Sequence, residues 1–177
     1  IGSFYQPNLV ISDIDFLKTL PRREIICGYG EIFKHSLIAN KSFFSYLREN
    51  GTRVLNLESP FIEKSIYLSC SIKKKIIEDD ENEKNIRKIL NFGHTFAHAF
   101  EATLNYSRKL NHGEAVILGL KIASKFSLLK KFLNINEFKK IEDHINLLNL
   151  PSNIKDFFSY NNLNKIITFM KKDKKNN

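Results

Sequence analysis

Cysteine is nearly absent from this chain, with only Cys27 and Cys70 in 177 residues. Two thiols so far apart form neither a disulfide framework nor a metal or redox spacing. They read as reduced, buried thiols of a cytoplasmic protein. Long apolar runs are missing too: no stretch reaches the roughly 20 residues of a membrane-spanning helix. The first residues show no basic segment leading into an apolar one, so no secretory leader is expected. Internal repeats and low-complexity linkers are lacking, and nothing marks a second complete domain. Acidic residues are scarce, 19 against 28 basic ones, which leaves a net charge of +9. Such a balance suits nucleic acid, acidic lipid or phosphorylated small molecules. Lysine runs such as Lys73-Lys74-Lys75 and the stretch 171–175 read as solvated surface, so neither nucleic acid nor membrane is the expected partner.

What remains is a globular composition, 42% apolar and 27% charged, long enough for one real core. Leu9-Val10-Ile11-Ser12 reads as a short strand. Asp13 to Leu20 reads as a short helix or turn that ends before Pro21. From Arg22 onward, apolar residues recur at helical spacing. Helices are expected over Arg23–Leu37, Lys41–Glu49, a segment opened by Ser59-Pro60 and ending near Ile77, His94–Leu104, His112–Leu133, Glu137–Asn149 and Leu163–Met170. The polar stretch 78–85 is expected to break the pattern. The fold class is mostly α, with a strand at the front.

Chemistry concentrates in one region. Three of the five histidines, His94, His98 and His112, fall within 19 residues, accompanied by Glu101 and Glu114. Histidine and carboxylate are the usual ligands of a catalytic zinc. His94 and His98 share a helix face at a spacing of four and could chelate a metal, or simply line a seam between helices. His94 and His112 both open predicted helices, whose N-termini favour anions such as phosphate. Upstream, Glu31 and Lys34 stand three apart on one face. They read either as a surface ion pair or, because Glu31 sits among Ile25, Ile26, Ile32 and Phe33, as a carboxylate in need of a partner such as a metal. Arg87 and Asn91 could hold oxyanions or hydroxyls.

The ordered series Phe4-Tyr5-Gln6-Pro7, Leu17 to Glu24, Gly28-Tyr29-Gly30-Glu31-Ile32-Phe33-Lys34, Asp79-Asp80-Glu81, Arg87, Leu90 to Glu101, His112 to Val116 and Met170 to Lys175 resembles the 3-dehydroquinate synthase family of the sugar-phosphate cyclases. The resemblance implies the helical C-terminal domain of a two-domain enzyme. Residues 1–20 would be the tail of an N-terminal NAD-binding domain and 21–177 the metal- and substrate-binding domain, cut at both ends. It implies a zinc (or cobalt) held by Glu31, His94 and His112. Lys34, Lys73, Arg87, Asn91, His98 and Lys174 would act on substrate, and Phe16, Leu17, Lys18 and Thr19 would border NAD. His98 then becomes a substrate-side group rather than a ligand. The implied reaction turns 3-deoxy-D-arabino-heptulosonate 7-phosphate into 3-dehydroquinate and phosphate, in the shikimate route to chorismate and the aromatic amino acids, by a cytoplasmic homodimer. The alternatives are another cyclase such as 2-deoxy-scyllo-inosose synthase, a non-enzymatic basic helical module, or a domain that keeps the fold without the chemistry. Tyr29-Gly30, His35 and Asn40 depart from the family pattern.

Overall fold

The computed structural model describes residues 6–173. Seven α-helices account for most of them: α1 (Arg22–Ala39), α2 (Lys41–Leu55), α3 (Phe61–Asp79), α4 (His94–Thr103), α5 (His112–Leu129), α6 (Ile135–Leu147) and α7 (Leu163–Lys172). Short 3-10 turns occupy Ile14–Thr19, Ile86–Asn91, Ile154–Asp156 and Tyr160–Asn162. The expected strand at Leu9–Ser12 does not form, and Leu9, Val10 and Ile11 are exposed. A strand needs a neighbour to take its backbone hydrogen bonds, and no strand exists among the described residues to supply one. Cys70 also departs from expectation: it is exposed, and Cys27 is half-buried.

Local chemistry explains the helix boundaries. Asn40 ends α1 and caps α2 in one residue, its side-chain oxygen accepting the Phe43 N–H at 2.9 Å. The helix opened by Ser59-Pro60 begins one residue later than its cap signal suggests, at Phe61. The break after α3 is organised by Asp80, whose carboxylate accepts the backbone N–H groups of Lys84, Asn85 and Arg87 at 2.9, 2.7 and 3.0 Å. At the start of α5 the Asn111 N–H donates to the Glu114 carboxylate at 2.7 Å.

Helix α5 is the centre of the molecule. Gly113 through Leu120 are all buried, as a helix apolar on every side must be. It packs on α1, α4 and α6, while α2 and α3 cover the rest of α1 and α7 covers α4. Two glycines set the closest approaches. A Cβ at Gly113 would lie 2.3 Å from the Cys27 Cα of α1. Gly93, at the start of α4, has φ +80, and a Cβ there would lie 2.8 Å from the Leu120 backbone nitrogen of α5. Helices α1, α4 and α5 are thereby held together at their contacts. Among the described residues no helix is long and apolar enough to cross a membrane.

Candidate metal centre

Each of those three helices brings one metal-ligating side chain to a common point. Glu31 comes from the middle of α1, His94 is the first residue of α4 and His112 the first of α5. One donor atom from each lies within 4.8 Å of the others. The spacing of four does place the His98 ring beside His94, with ring centroids 5.5 Å apart. His98 nevertheless falls outside the group of three. It stacks at 6.4 Å from His112 and turns its Nδ1 toward Asp173, 3.9 Å away and largely buried at the end of α7.

The outer face of each histidine is tied down. His94 Nδ1 faces the Phe92 carbonyl at 3.3 Å, and its Nε2 lies 3.9 Å from Glu31 Oε1. His112 Nδ1 sits 3.1 and 3.2 Å from the two Glu101 oxygens. A carbonyl or carboxylate behind a ring nitrogen is the usual support of a metal-bound histidine. Glu31 is divided in the same way: Oε2 accepts from Lys34 Nζ at 2.8 Å, whereas Oε1 is buried with no hydrogen-bond partner. That orphaned oxygen and two imidazoles fit a borderline-soft divalent ion such as Zn2+, with the fourth position left open.

Charges and burial around the cluster set the protonation of its members. Burial by itself pushes the Glu31 carboxyl up; the Lys34 ammonium outweighs it by charge and hydrogen bond and holds the carboxyl below its ordinary value. Burial and the same ammonium press His94 down to about 4, keeping it neutral as a ligand must be. The Glu101 hydrogen bond, opposed by burial, raises His112. Lys34 is itself buried, so the Glu31–Lys34 pair is not the surface ion pair that spacing alone allows.

The other sequence-predicted residues distribute around this centre. Arg87 and Asn91 ride on the 3-10 turn Ile86–Asn91, which packs against α1 and α3. The Arg87 guanidinium donates to the Glu81 carbonyl, and Asn91 donates to Glu83 at 2.6 Å. Lys73 is exposed on α3, near enough for its charge to depress His35. Phe16, Leu17, Lys18 and Thr19 form the 3-10 turn ahead of α1, and no hydrogen bond or ion pair joins them to the metal cluster among the described residues. Leu17 lines an apolar pocket with Leu20, Ile25, Ile32 and Ile66. Lys174 lies outside the described residues.

Four contributors were given no role by the sequence, although Asp80, Glu101 and Asp173 fall inside its motif segments: Asp80, Glu83, Asp173 and the Glu101 carboxylate behind His112. For Glu101 the spacing carried a signal of a shared face, since positions 94, 98 and 101 follow helical i, i+4, i+7 periodicity. Two departures from the family pattern prove to be core hydrogen-bond partners. Tyr29 meets His144 at 2.7 Å, and His35 meets Ser69 at 2.7 Å.

Fold and site together define a helical domain with a candidate metal centre, two of its three donors standing at the N-termini of α4 and α5 and the third in the middle of α1. The same architecture occurs in 2-epi-5-epi-valiolone synthase from Streptomyces hygroscopicus subsp. jinggangensis 5008, solved with NAD+ and Zn2+ bound (TM-score 0.78, 22% identity, 92% of this chain and 45% of that one). The family model for the 3-dehydroquinate synthase C-terminal domain matches residues 28–176, and the chain belongs to that family. It is 67% identical over its whole length to the 3-dehydroquinate synthase of Pelagibacter ubique (strain HTCC1062), covering 48% of that protein. It is 44% identical over 176 residues to that of Alkaliphilus metalliredigens (strain QYMF), 99% of this chain and again 48% of the relative. The chain thus spans about half the length of these curated relatives.

Proposed function

We propose that the chain forms the metal- and substrate-binding half of a 3-dehydroquinate synthase, a phosphate-eliminating carbon–oxygen lyase. The enzyme converts 3-deoxy-D-arabino-heptulosonate 7-phosphate into 3-dehydroquinate and phosphate. The observation that carries this reading is the convergence of Glu31, His94 and His112 within 4.8 Å, in a chain whose curated relatives bear that name. A zinc held there supplies Lewis acidity toward substrate oxygens, and NAD supplies a hydride acceptor regenerated in each turnover.

The chain's own residues bind and orient. Lys34, Lys73 and Arg87 present cations to the substrate's carboxylate and phosphate. The N-termini of α4 and α5 add their dipoles on the same side. Asn91 and His98 offer hydrogen bonds to ring hydroxyls, Asn91 fixed by Glu83 and His98 backed by Asp173. Lys174 completes the set of substrate contacts, and Phe16 to Thr19 border the NAD site. A cytoplasmic homodimer belongs to the same reading.

The test is phosphate release by the full-length enzyme given NAD, zinc and the heptulosonate phosphate. Activity with this substrate and none with glucose 6-phosphate is expected. Turnover of glucose 6-phosphate instead would move the assignment to 2-deoxy-scyllo-inosose synthase, and no release from either would sink it. His112→Ala is expected to abolish both zinc uptake and phosphate release.

A further inference from the structure

His112 is the least sheltered of the three candidate ligands. Its side chain is 52% exposed, against 10% for His94 and 36% for Glu31. An imidazole at the first position of a helix, half in solvent, has freedom to rotate and to exchange its proton between two nitrogens. Glu101 removes both freedoms. It stands in the last turn of α4, seven residues after His94, and is itself only 13% exposed. Both carboxylate oxygens lie within 3.2 Å of His112 Nδ1, and Glu101 has no other side-chain hydrogen-bond partner among the described residues. A carboxylate so far from water needs such a partner.

We propose that Glu101 is a positioning residue for the metal centre. It takes the Nδ1 proton of His112 as a hydrogen bond, holds the ring in the tautomer with Nε2 unprotonated, and aims Nε2 at the point shared with Glu31 and His94. It touches neither metal nor substrate and acts through His112 alone. Because Gly93 and Gly113 lock α4 and α5 against their neighbours, the distance from Glu101 to His112 is fixed by the packing. The carboxylate also adds a negative charge behind the ring, making His112 a stronger donor. This inference rests on the metal-centre reading above.

The experiment measures zinc dissociation constants of the full-length protein by chelator competition, together with the visible spectrum of the cobalt-substituted form. Wild type, Glu101→Gln, Glu101→Ala and His112→Ala are compared. Glu101→Ala should bind zinc about 10–100-fold more weakly, the usual cost of losing such a support, and its cobalt spectrum should shift. Glu101→Gln keeps an acceptor without the charge and should lie between Glu101→Ala and wild type. It also carries the test alone if the alanine variant does not fold. Imidazole 15N shifts of the zinc-free protein should show His112 protonated at Nδ1 in wild type and mixed in Glu101→Ala. Wild-type zinc affinity and an unchanged cobalt spectrum in both Glu101 variants, with affinity lost in His112→Ala, would overturn this role while leaving the metal centre standing. Failure of wild type itself to bind zinc would overturn both.

Discussion

Lys34 shows how much a single residue's setting matters. Its ammonium is buried against Glu31 and sits close enough to depress both His94 and His35. Burial is the larger cause of the depression at both imidazoles, and this one cation reinforces it while keeping the Glu31 carboxylate ionised. A second buried histidine, His144, lies outside this group. It accepts or donates one hydrogen bond with the Tyr29 hydroxyl and is ringed by Tyr29, Phe33 and Phe44. Burial, reinforced by the Arg48 charge, presses it down to about 4. In the unfolded chain it titrates near 6.5. Between those values the unfolded state holds a proton that the folded state refuses, so the stability His144 contributes is lost as pH falls through the window. From pH 7 to pH 5 this amounts to about 2 kcal/mol. His144→Phe should be less stable than wild type at pH 7 by ~1–3 kcal/mol, because the Tyr29 hydroxyl loses its partner. It should also lose about 2 kcal/mol less on going to pH 5. Urea unfolding at the two pH values checks this; parallel pH dependence in the two proteins would refute it.

At the scale of the element, the ligand-bearing helices are set by close backbone approach more than by side-chain fit. Gly113→Ala would drive a methyl into the Cys27 backbone, and neither helix can move without disturbing the three-way contact. It should cost ~1–3 kcal/mol and weaken zinc binding as well, because it shifts His112 relative to Glu31. Gly28→Ala is the control from the neighbouring stretch of α1, where a Cβ meets nothing within 4 Å. In a helix interior that change should stabilise by up to ~1 kcal/mol. Urea midpoints of the two variants should move in opposite directions. The helices themselves were legible in the sequence because their apolar spacing is regular from Arg22 onward. The 3-10 turn carrying Arg87 and Asn91 was not. It exists because one carboxylate, Asp80, gathers three backbone N–H groups, and apolar periodicity says nothing about such an arrangement. The strand expected at Leu9–Ser12 failed for the opposite reason: its residues have the right local preference but no partner among the described residues.

Across the whole molecule, the site is harder to read than the fold. Spacing alone paired His94 with His98, which are close in sequence and on one face. The third ligand, Glu31, lies 63 residues before His94, and only the resemblance to a family joined them. Packing explains why: α5 brings together α1 and α4, which are distant in sequence, and no local pattern encodes that. The same packing would make a metal held by Glu31, His94 and His112 a tie among three helices. A metal that binds only the folded chain stabilises it by mass action, about 2.7 kcal/mol at a free concentration 100 times the dissociation constant. Thermal unfolding of the full-length protein should therefore shift upward when zinc is added and return on chelation. His112→Ala should abolish the shift, because two ligands cannot tie three helices. His98→Ala should keep most of it, because His98 lies outside the donor group. An equal loss in both variants would put His98 among the ligands, and a loss in His98→Ala with the shift kept in His112→Ala would place the ion between His94 and His98 on α4; either result would make the three-residue centre wrong.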